Sequence, residues 1–261
     1  EVLETKPKVE DQGVYETLTP IENMIEFKNV NFGYLQKDVL HDLSFTIKKG
    51  ETVGIIGGTG AGKSTLVSLI GRNYDTRSGE IWIAGKRIQD YKLAPLRKHI
   101  SYVLQNTSLI SGTIKENIVY NSKDVTDYDV REVCKTVGLD HFIKTLPNGY
   151  DTVLSDNDSV SAGQRQLLTI ARGMIQDAPF LILDEATSNV DTRTEELVQS
   201  AMDKLTIGKT SFIIAHRLST IKNADLILVM NNGNIIEQGN HEELMKQNGF
   251  YAELYNSQFK L

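Results

Sequence analysis

The sequence has almost no cysteine, no long apolar run and no basic block. A single cysteine, Cys134, excludes an internal disulfide, and its helical stripe of valines over residues 130–137 predicts a buried thiol. The longest apolar runs, such as residues 178–183, are far too short to cross a bilayer, and no signal peptide is visible. The net charge of −6, without clustered basic residues, argues against nucleic acid as the main partner.

The composition of 40% apolar and 24% charged residues is that of a globular protein with a sizeable core. Residues 1–22 are polar and aperiodic, so we expect a linker or terminal arm there. The chain begins with Glu1 rather than Met, and we therefore expect a piece of a longer protein. Residues 23–261 alternate short apolar strands with helices, which predicts an α/β domain around a mainly parallel sheet. A helical stretch at about residues 107–176 predicts a helical subdomain.

A glycine-rich segment separates a predicted strand, residues 51–56, from a predicted helix, residues 63–70. It fits the pattern of a glycine, four residues and then Gly-Lys-Ser, in which backbone N–H groups and the helix N-terminus receive a phosphate. Lys63 would reach the β- and γ-phosphates of a nucleotide, and Ser64 would bind Mg²⁺. The flanking strand and helix disfavour the alternative, a glycine turn beside a surface lysine. The loop comprises Gly57, Gly58, Thr59, Gly60, Ala61, Gly62, Lys63, Ser64 and Thr65.

Polar side chains follow three other predicted strands where each strand ends. We expect these residues at one edge of the sheet, because ligands of parallel sheets bind at the carboxyl ends of the strands. Asp184 would hold Mg²⁺ together with Ser64, and Glu185 would deprotonate a water in line with the γ-phosphate. His216 would bind the γ-phosphate or orient the water, and the Gln105 amide would reach the metal or the water. Each of them has a structural alternative, such as an exposed acid or a packed histidine.

Taken together, these motifs resemble the nucleotide-binding domain of ATP-binding cassette (ABC) exporters over about residues 24–257. The resemblance implies a P-loop NTPase core of the RecA-like type, an N-terminal antiparallel β subdomain, and an ATPase that uses ATP and Mg²⁺. It also implies that Tyr34 stacks on adenine, for which spacing alone gives weak support. The matching motifs are Tyr34 (aromatic loop), Gly57–Thr65 (Walker A), Gln105 (Q-loop), Val160–Gln164 (signature), Phe180–Glu185 (Walker B), Ser188–Asp191 (D-loop) and His216 (switch histidine).

The resemblance also implies partners. In this family two cassettes pack head to tail, so Ser161, Gly163 and Gln164 would contact the γ-phosphate of the partner's ATP, and Asp191 would belong to the nucleotide site. The alternative is that Ser161, Gly163 and Gln164 merely cap the helix that they begin. Residues 1–22 would join the domain to a transmembrane domain, which places it at the cytoplasmic face of the cell membrane.

The sequence departs from the family pattern in two places, the signature and a segment just upstream of it. The usual signature is Leu-Ser-Gly-Gly-Gln, and Val160 and Ala162 replace the first and third residues here. Residues 154–158 stand where exporters often carry a Glu-Arg-Gly segment. Both changes resemble one chain of a heterodimeric exporter with a degenerate ATP site. We therefore expect a heterodimer rather than a homodimer, with this chain's Walker residues in the competent site.

A soluble cassette ATPase that acts on nucleic acid or ribosomes is the alternative function. Such a protein would usually show a coiled-coil insert, a second cassette or a basic surface, and the sequence has none of these. A non-hydrolysing scaffold is disfavoured by Glu185, and a kinase by the signature at Ser161–Gln164.

Overall fold

The computed structural model describes residues 9–104, 109–154, 160–184, 192–215 and 218–259. The chain divides into two compact units, of which the first contains residues 1–100 and 210–261 and the second residues 101–209. The predicted helical subdomain lies within the second unit. No helix in the described ranges is long and apolar enough to cross a membrane.

An antiparallel sheet in the first unit confirms the predicted N-terminal β subdomain. Alternating apolar residues on its two long strands bury one face, where the rings of Phe27 and Phe45 stack with centroids 4.4 Å apart. A two-residue turn after Tyr34 joins these strands. In spatial order the strands are β2 (Lys37–Lys48), β1 (Asn23–Tyr34), β4 (Ser78–Ile83) and β5 (Lys86–Arg87).

The predicted mainly parallel sheet is also present in the first unit. Its central strand β3 (Thr52–Gly57) is buried along most of its length and pairs in parallel with a neighbour on each side. A hairpin through the left-handed residues Asn232 and Gly233 adds an antiparallel edge strand, as the Asn-Gly pair predicts. The neighbours of β3 are β10 (Thr210–Ile214) and β11 (Leu226–Asn231), and the edge strand is β12 (Asn234–Gly239).

Five α-helices among the described residues belong to the first unit. The helix after the glycine loop has the predicted bounds, and its C-terminal half is buried against the sheet. Asn240 and Glu243 form a reciprocal capping box at a later helix, as their spacing predicts. The helices are α1 (Lys63–Ile70), α2 (Leu93–Lys98), α8 (Leu218–Ile221), α9 (His241–Gln247) and α10 (Phe250–Phe259).

The described part of the predicted linker, residues 9–22, is attached to the first unit. The backbone N–H of Tyr15 donates to the Asp90 carbonyl at 3.0 Å, and the N–H of Lys92 donates to the Tyr15 carbonyl at 2.9 Å. Leu18 is buried. Backbone pairing of this kind has no periodicity that the sequence could reveal, so composition alone indicated only a polar arm.

The second unit is mainly helical. Helix α6 (Ala162–Gln176) packs on α3 (Ile114–Val119), α4 (Asp127–Thr136) and α7 (Thr192–Thr206). A two-stranded pair of β7 (Gly112–Thr113) and β8 (Val153–Leu154) was not predicted, because two-residue strands are too short to show a period. The elements are β6 (Ile100–Val103), β7 (Gly112–Thr113), α3 (Ile114–Val119), α4 (Asp127–Thr136), α5 (Asp140–Thr145), β8 (Val153–Leu154), α6 (Ala162–Gln176), β9 (Phe180–Asp184) and α7 (Thr192–Thr206).

Side-chain burial in the second unit follows the predicted helical stripes with one exception. Cys134 on α4 is fully buried, which confirms the predicted buried thiol, and this burial raises the pKa of the thiol to about 12. The sequence pattern of α7 predicts Leu197 on the apolar stripe together with Val198, but Leu197 is 42% exposed, whereas Val198 is fully buried. Leu197 lies at the flank of the apolar stripe, where a one-residue rotation of about 100° turns a side chain toward solvent.

Candidate nucleotide-binding site

The phosphate loop is the segment that joins β3 to α1. Its end is braced by the hairpin turn of the parallel sheet, since the N–H of Gly233 donates to the Ala61 carbonyl at 3.1 Å. Gly62 has a φ of 102°, and a Cβ on it would lie 2.7 Å from Cδ2 of Leu40. The fold itself therefore requires glycine at position 62.

Other loop glycines face open space. A Cβ at Gly58 or Gly60 would have no protein atom within 4 Å among the described residues, and Gly58 does not have a positive φ. Packing therefore gives no reason for glycine at position 58. Open space beside exposed backbone is what a phosphate needs in order to reach N–H groups.

The Lys63 ammonium donates hydrogen bonds to backbone carbonyls of its own loop. Nζ of Lys63 donates to the carbonyl oxygens of Gly57 at 2.7 Å and Gly58 at 3.0 Å. Lys63 is also the first residue of α1, and among the described residues no side chain caps this helix. An ammonium group and a helix N-terminus without a side-chain cap together give the loop positive character. This arrangement suits a phosphate chain.

Tyr34 lies close to the same helix. Its hydroxyl is 3.3 Å from Oγ1 of Thr65, and its side chain is 40% exposed. The ring contacts Phe32 and Tyr74 edge to face, with centroids 5.0 Å and 5.2 Å away. Sequence reasoning singled out Tyr34 but missed Tyr74, because a single aromatic in the irregular segment after α1 has no periodic signal.

The predicted signature residues form the start of α6 in the second unit. The Ser161 hydroxyl accepts a hydrogen bond from the N–H of Gln164 at 3.2 Å, and the N–H of Ser161 donates to Oε1 of Gln164 at 2.9 Å. This is a complete capping box. Gly163 is buried in the first turn. The structure thus shows the capping role of Ser161 and Gln164, and their contact with a partner's ATP remains a prediction.

Asp184 is the last residue of β9 and is half-buried. The Asp184 carboxylate and the exposed Ser64 hydroxyl are oxygen donors of the kind that Mg²⁺ prefers. Among the described residues no group of three or more His, Cys, Asp or Glu could hold a metal alone. The remaining predicted residues, Gln105, Glu185, Asp191 and His216, lie outside the described ranges.

A strand, a glycine loop and a helix on a mainly parallel sheet define a P-loop NTPase domain. The family model for ABC transporters matches residues 40–188. The uncharacterized ABC transporter ATP-binding protein YfiC of Bacillus subtilis is 47% identical over 265 residues, which cover 100% of this chain and 43% of that protein. The ATP-dependent lipid A-core flippase of Saccharophagus degradans is 48% identical over 237 residues, which cover 90% of this chain and 40% of the flippase.

A solved structure of an ABC exporter also matches this chain. A bacterial Atm1-family ABC exporter with ATP bound superimposes with a TM-score of 0.91 at 37% identity, over 99% of this chain and 46% of the exporter chain. The chain belongs to the ABC transporter family, as an ATP-binding cassette of the exporter type. It spans less than half the length of each of these relatives.

Proposed function

We propose that this chain binds and hydrolyses ATP to power an exporter through the closure of two cassettes. The observation that carries the proposal is the phosphate loop, with open space at Gly58 and Gly60 beside the Lys63 ammonium. A chain of phosphates is the ligand that this combination of backbone, charge and space favours.

Residues at the strand ends are assigned to the chemistry. Glu185 accepts a proton from the attacking water, and Gln105 and His216 orient that water and the γ-phosphate. Ser64, Asp184 and Gln105 would hold Mg²⁺, which neutralises charge on the phosphates. Lys63 stabilises the negative charge on the β- and γ-phosphates, and Tyr34 stacks on adenine.

The second cassette completes the site. Ser161, Gly163 and Gln164 of one chain contact the γ-phosphate of ATP held by the other chain, and Asp191 supports the nucleotide site. We propose that the partner is a different chain and that the two ATP sites are unequal. Val160 and the added methyl of Ala162 support this, because a Cβ hinders close approach of the backbone to a phosphate.

The names of the relatives favour a transporter over a soluble ATPase that acts on nucleic acid or ribosomes, since one is a flippase and another an exporter. We propose that residues 1–22 connect the cassette to a transmembrane domain and that the cassette works at the cytoplasmic face of the membrane. The composition agrees, because the net charge is −6 and no basic block is present.

Phosphate release from the full-length protein in membranes tests the hydrolytic role. Glu185→Gln removes the proposed base and is expected to lower turnover at least about 100-fold while MgATP still binds. Glu196→Gln, an exposed position on α7, is the matched control and is expected to hydrolyse normally. Unchanged turnover in Glu185→Gln would reject Glu185 as the base.

The unequal pair has its own test. The full-length chain, purified without any other subunit, is expected to hydrolyse ATP poorly, because both of its sites would use the altered signature. Efficient and symmetric hydrolysis at both sites of such a homodimer would contradict the heterodimer proposal.

A further inference from the structure

A short segment between α1 and β4 contacts the hairpin that presents Tyr34. The ring of Tyr74 lies 5.2 Å from the ring of Tyr34 at an interplanar angle of 85°, and 5.4 Å from the ring of Phe32. Phe32 and Tyr34 are 5.0 Å apart at 87°. Edge-to-face and tilted arrangements are the favourable geometries for aromatic pairs. The three rings form one aromatic cluster, to which the segment after α1 contributes Tyr74.

Arg77 ties the same segment to the tip of the hairpin. One guanidinium nitrogen donates to the Leu35 carbonyl oxygen, and another donates to the Asp38 carboxylate. The guanidinium is a rigid planar fork, so two partners, one in the turn and one on the strand that follows it, fix the orientation of that turn. The Leu35 side chain is 97% exposed, so burial of this side chain contributes little to holding the tip in place.

Arg72 anchors the beginning of the segment. It is 3% exposed, and its guanidinium donates to the Asp75 carboxylate at 3.0 Å and to the Tyr91 carbonyl at 3.2 Å. Arg72 comes two residues after the last residue of α1. Residues 72–78 are therefore held at both ends. The buried Arg72 holds the first end, and Arg77 holds the second end against the hairpin of β1 and β2.

We propose that Tyr74 and Arg77 are positioning residues for the nucleotide base. They hold the ring of Tyr34 where it stacks on the base, and the phosphate loop is braced separately through Ala61 and Gly233. This inference depends on the proposed function, in which Tyr34 receives adenine. Loss of Tyr74 or Arg77 weakens the contact with the base and leaves the phosphate contacts intact.

Two ligands separate these effects. MgATP carries a base, and inorganic tripolyphosphate with Mg²⁺ does not. In calorimetric titrations of the 261-residue chain, Arg77→Gln and Tyr74→Ala are expected to raise the Kd for MgATP about 2- to 10-fold, the scale of one aromatic contact. The Kd for tripolyphosphate is expected to stay within about twofold. An equal loss for both ligands, or an unchanged Kd for MgATP, would overturn the proposal.

Matched variants control for folding. Tyr74→Phe keeps the ring and is expected to bind MgATP as the wild type does. Arg87→Gln removes another surface arginine of the first unit, one that pairs with Glu80 and Asp90, and is also expected to bind normally. Should Arg77→Gln fold poorly, Asp38→Asn removes only its charge partner and is expected to weaken MgATP binding in the same direction.

A kinetic measurement and a further variant complete the test. In the full-length protein, Arg77→Gln is expected to raise KM for ATP 2- to 10-fold while kcat is unchanged, and a fall in kcat alone would contradict a role at the base. Tyr34→Ala tests the premise. If it binds MgATP normally, the assignment of Tyr34 and this inference are both wrong. If only Tyr34→Ala weakens binding, the inference alone is wrong.

Discussion

The two helices that we assign to ATP begin in opposite ways. α1 follows the left-handed Gly62, and no described side chain caps it. The ammonium of Lys63 donates to the carbonyl oxygens of Gly57 and Gly58 in the phosphate loop. α6 begins at Ser161 with a complete capping box, in which Gln164 returns the hydrogen bond. One helix start has backbone N–H groups without a side-chain cap, and the other start has two of its N–H groups, those of Ser161 and Gln164, bonded within its own first turn.

This difference agrees with the separate roles that we propose for the phosphate loop in the first unit and the signature in the second. The phosphate loop in the first unit is built to receive phosphates, since Gly58 and Gly60 leave space beside the backbone. The capping box occupies the backbone N–H groups of Ser161 and Gln164, so these two N–H groups do not donate to a phosphate while the box is intact, whereas the Ser161 hydroxyl and the Gln164 side-chain NH2 still can. We therefore expect the phosphate loop to bind ATP in a single chain, and the signature to engage only when a second cassette delivers its ATP.

The largest effect is expected at the cation of the phosphate loop. Lys63→Ala removes a charged donor, and we expect the Kd for MgATP to rise about 10- to 100-fold. The free energy of unfolding should also fall, by about 1–3 kcal/mol, because Lys63 is buried and its Nζ donates to two carbonyls of the loop. Titration calorimetry and urea unfolding measure the two quantities.

Lys49→Ala, at an exposed position of the same unit, is the control for Lys63→Ala and should change neither quantity. Normal MgATP binding by Lys63→Ala would contradict the role given to the phosphate loop.

Substitutions at two glycines distinguish a glycine that the fold requires, Gly62, from one that we assign to ligand binding, Gly58. Gly62→Ala forces a side chain into a left-handed backbone against Leu40 and is expected to lower the free energy of unfolding by about 1–2 kcal/mol or more. Gly58→Ala meets no described atom, so its stability should match the wild type within about 0.5 kcal/mol while its affinity for MgATP falls. Full ATP affinity in Gly58→Ala would show that the open space does not receive phosphate.

The smallest effect is expected at the capping box of α6. Ser161→Ala should lower the free energy of unfolding by about 1 kcal/mol and leave MgATP binding to the single chain unchanged. Thr126→Ala is a matched control, since Thr126 and Asp129 form the same box on α4 in the same unit. Both variants should lose equal stability, but only Ser161→Ala should lower ATP hydrolysis by the full-length protein. Equal hydrolysis by both would leave Ser161 with a capping role alone.

The sequence predicted the features that have a local or periodic signal. The glycine loop is a contiguous motif, and the Asn232-Gly233 turn has a defined backbone geometry. The strands beside them either alternate apolar and polar residues or are wholly apolar. These features placed the sheet and the phosphate loop correctly. Fold class and family followed from them.

Other features depend on tertiary contacts that have no spacing rule. Tyr74 joins Tyr34 across 40 residues, and Arg77 reaches the hairpin tip across a similar distance in sequence. The pairing of Tyr15 with Asp90 and Lys92 is made by the backbone, which the side-chain pattern does not encode. The helix cap by Ser161 and Gln164 was among the alternatives, and the structure shows that both hydrogen bonds of the box are formed.

Hydrogen exchange measured on the 261-residue chain, with and without MgATP, tests the central claim most directly. At a protein concentration where sedimentation shows a monomer, we predict slower exchange at the amides of residues 57–66 and unchanged exchange at residues 161–166. Bound ligand should also raise the stability of the chain by about 2.7 kcal/mol at 100 times the Kd. Protection at residues 161–166 alone, or at both segments equally in the monomer, would contradict the account.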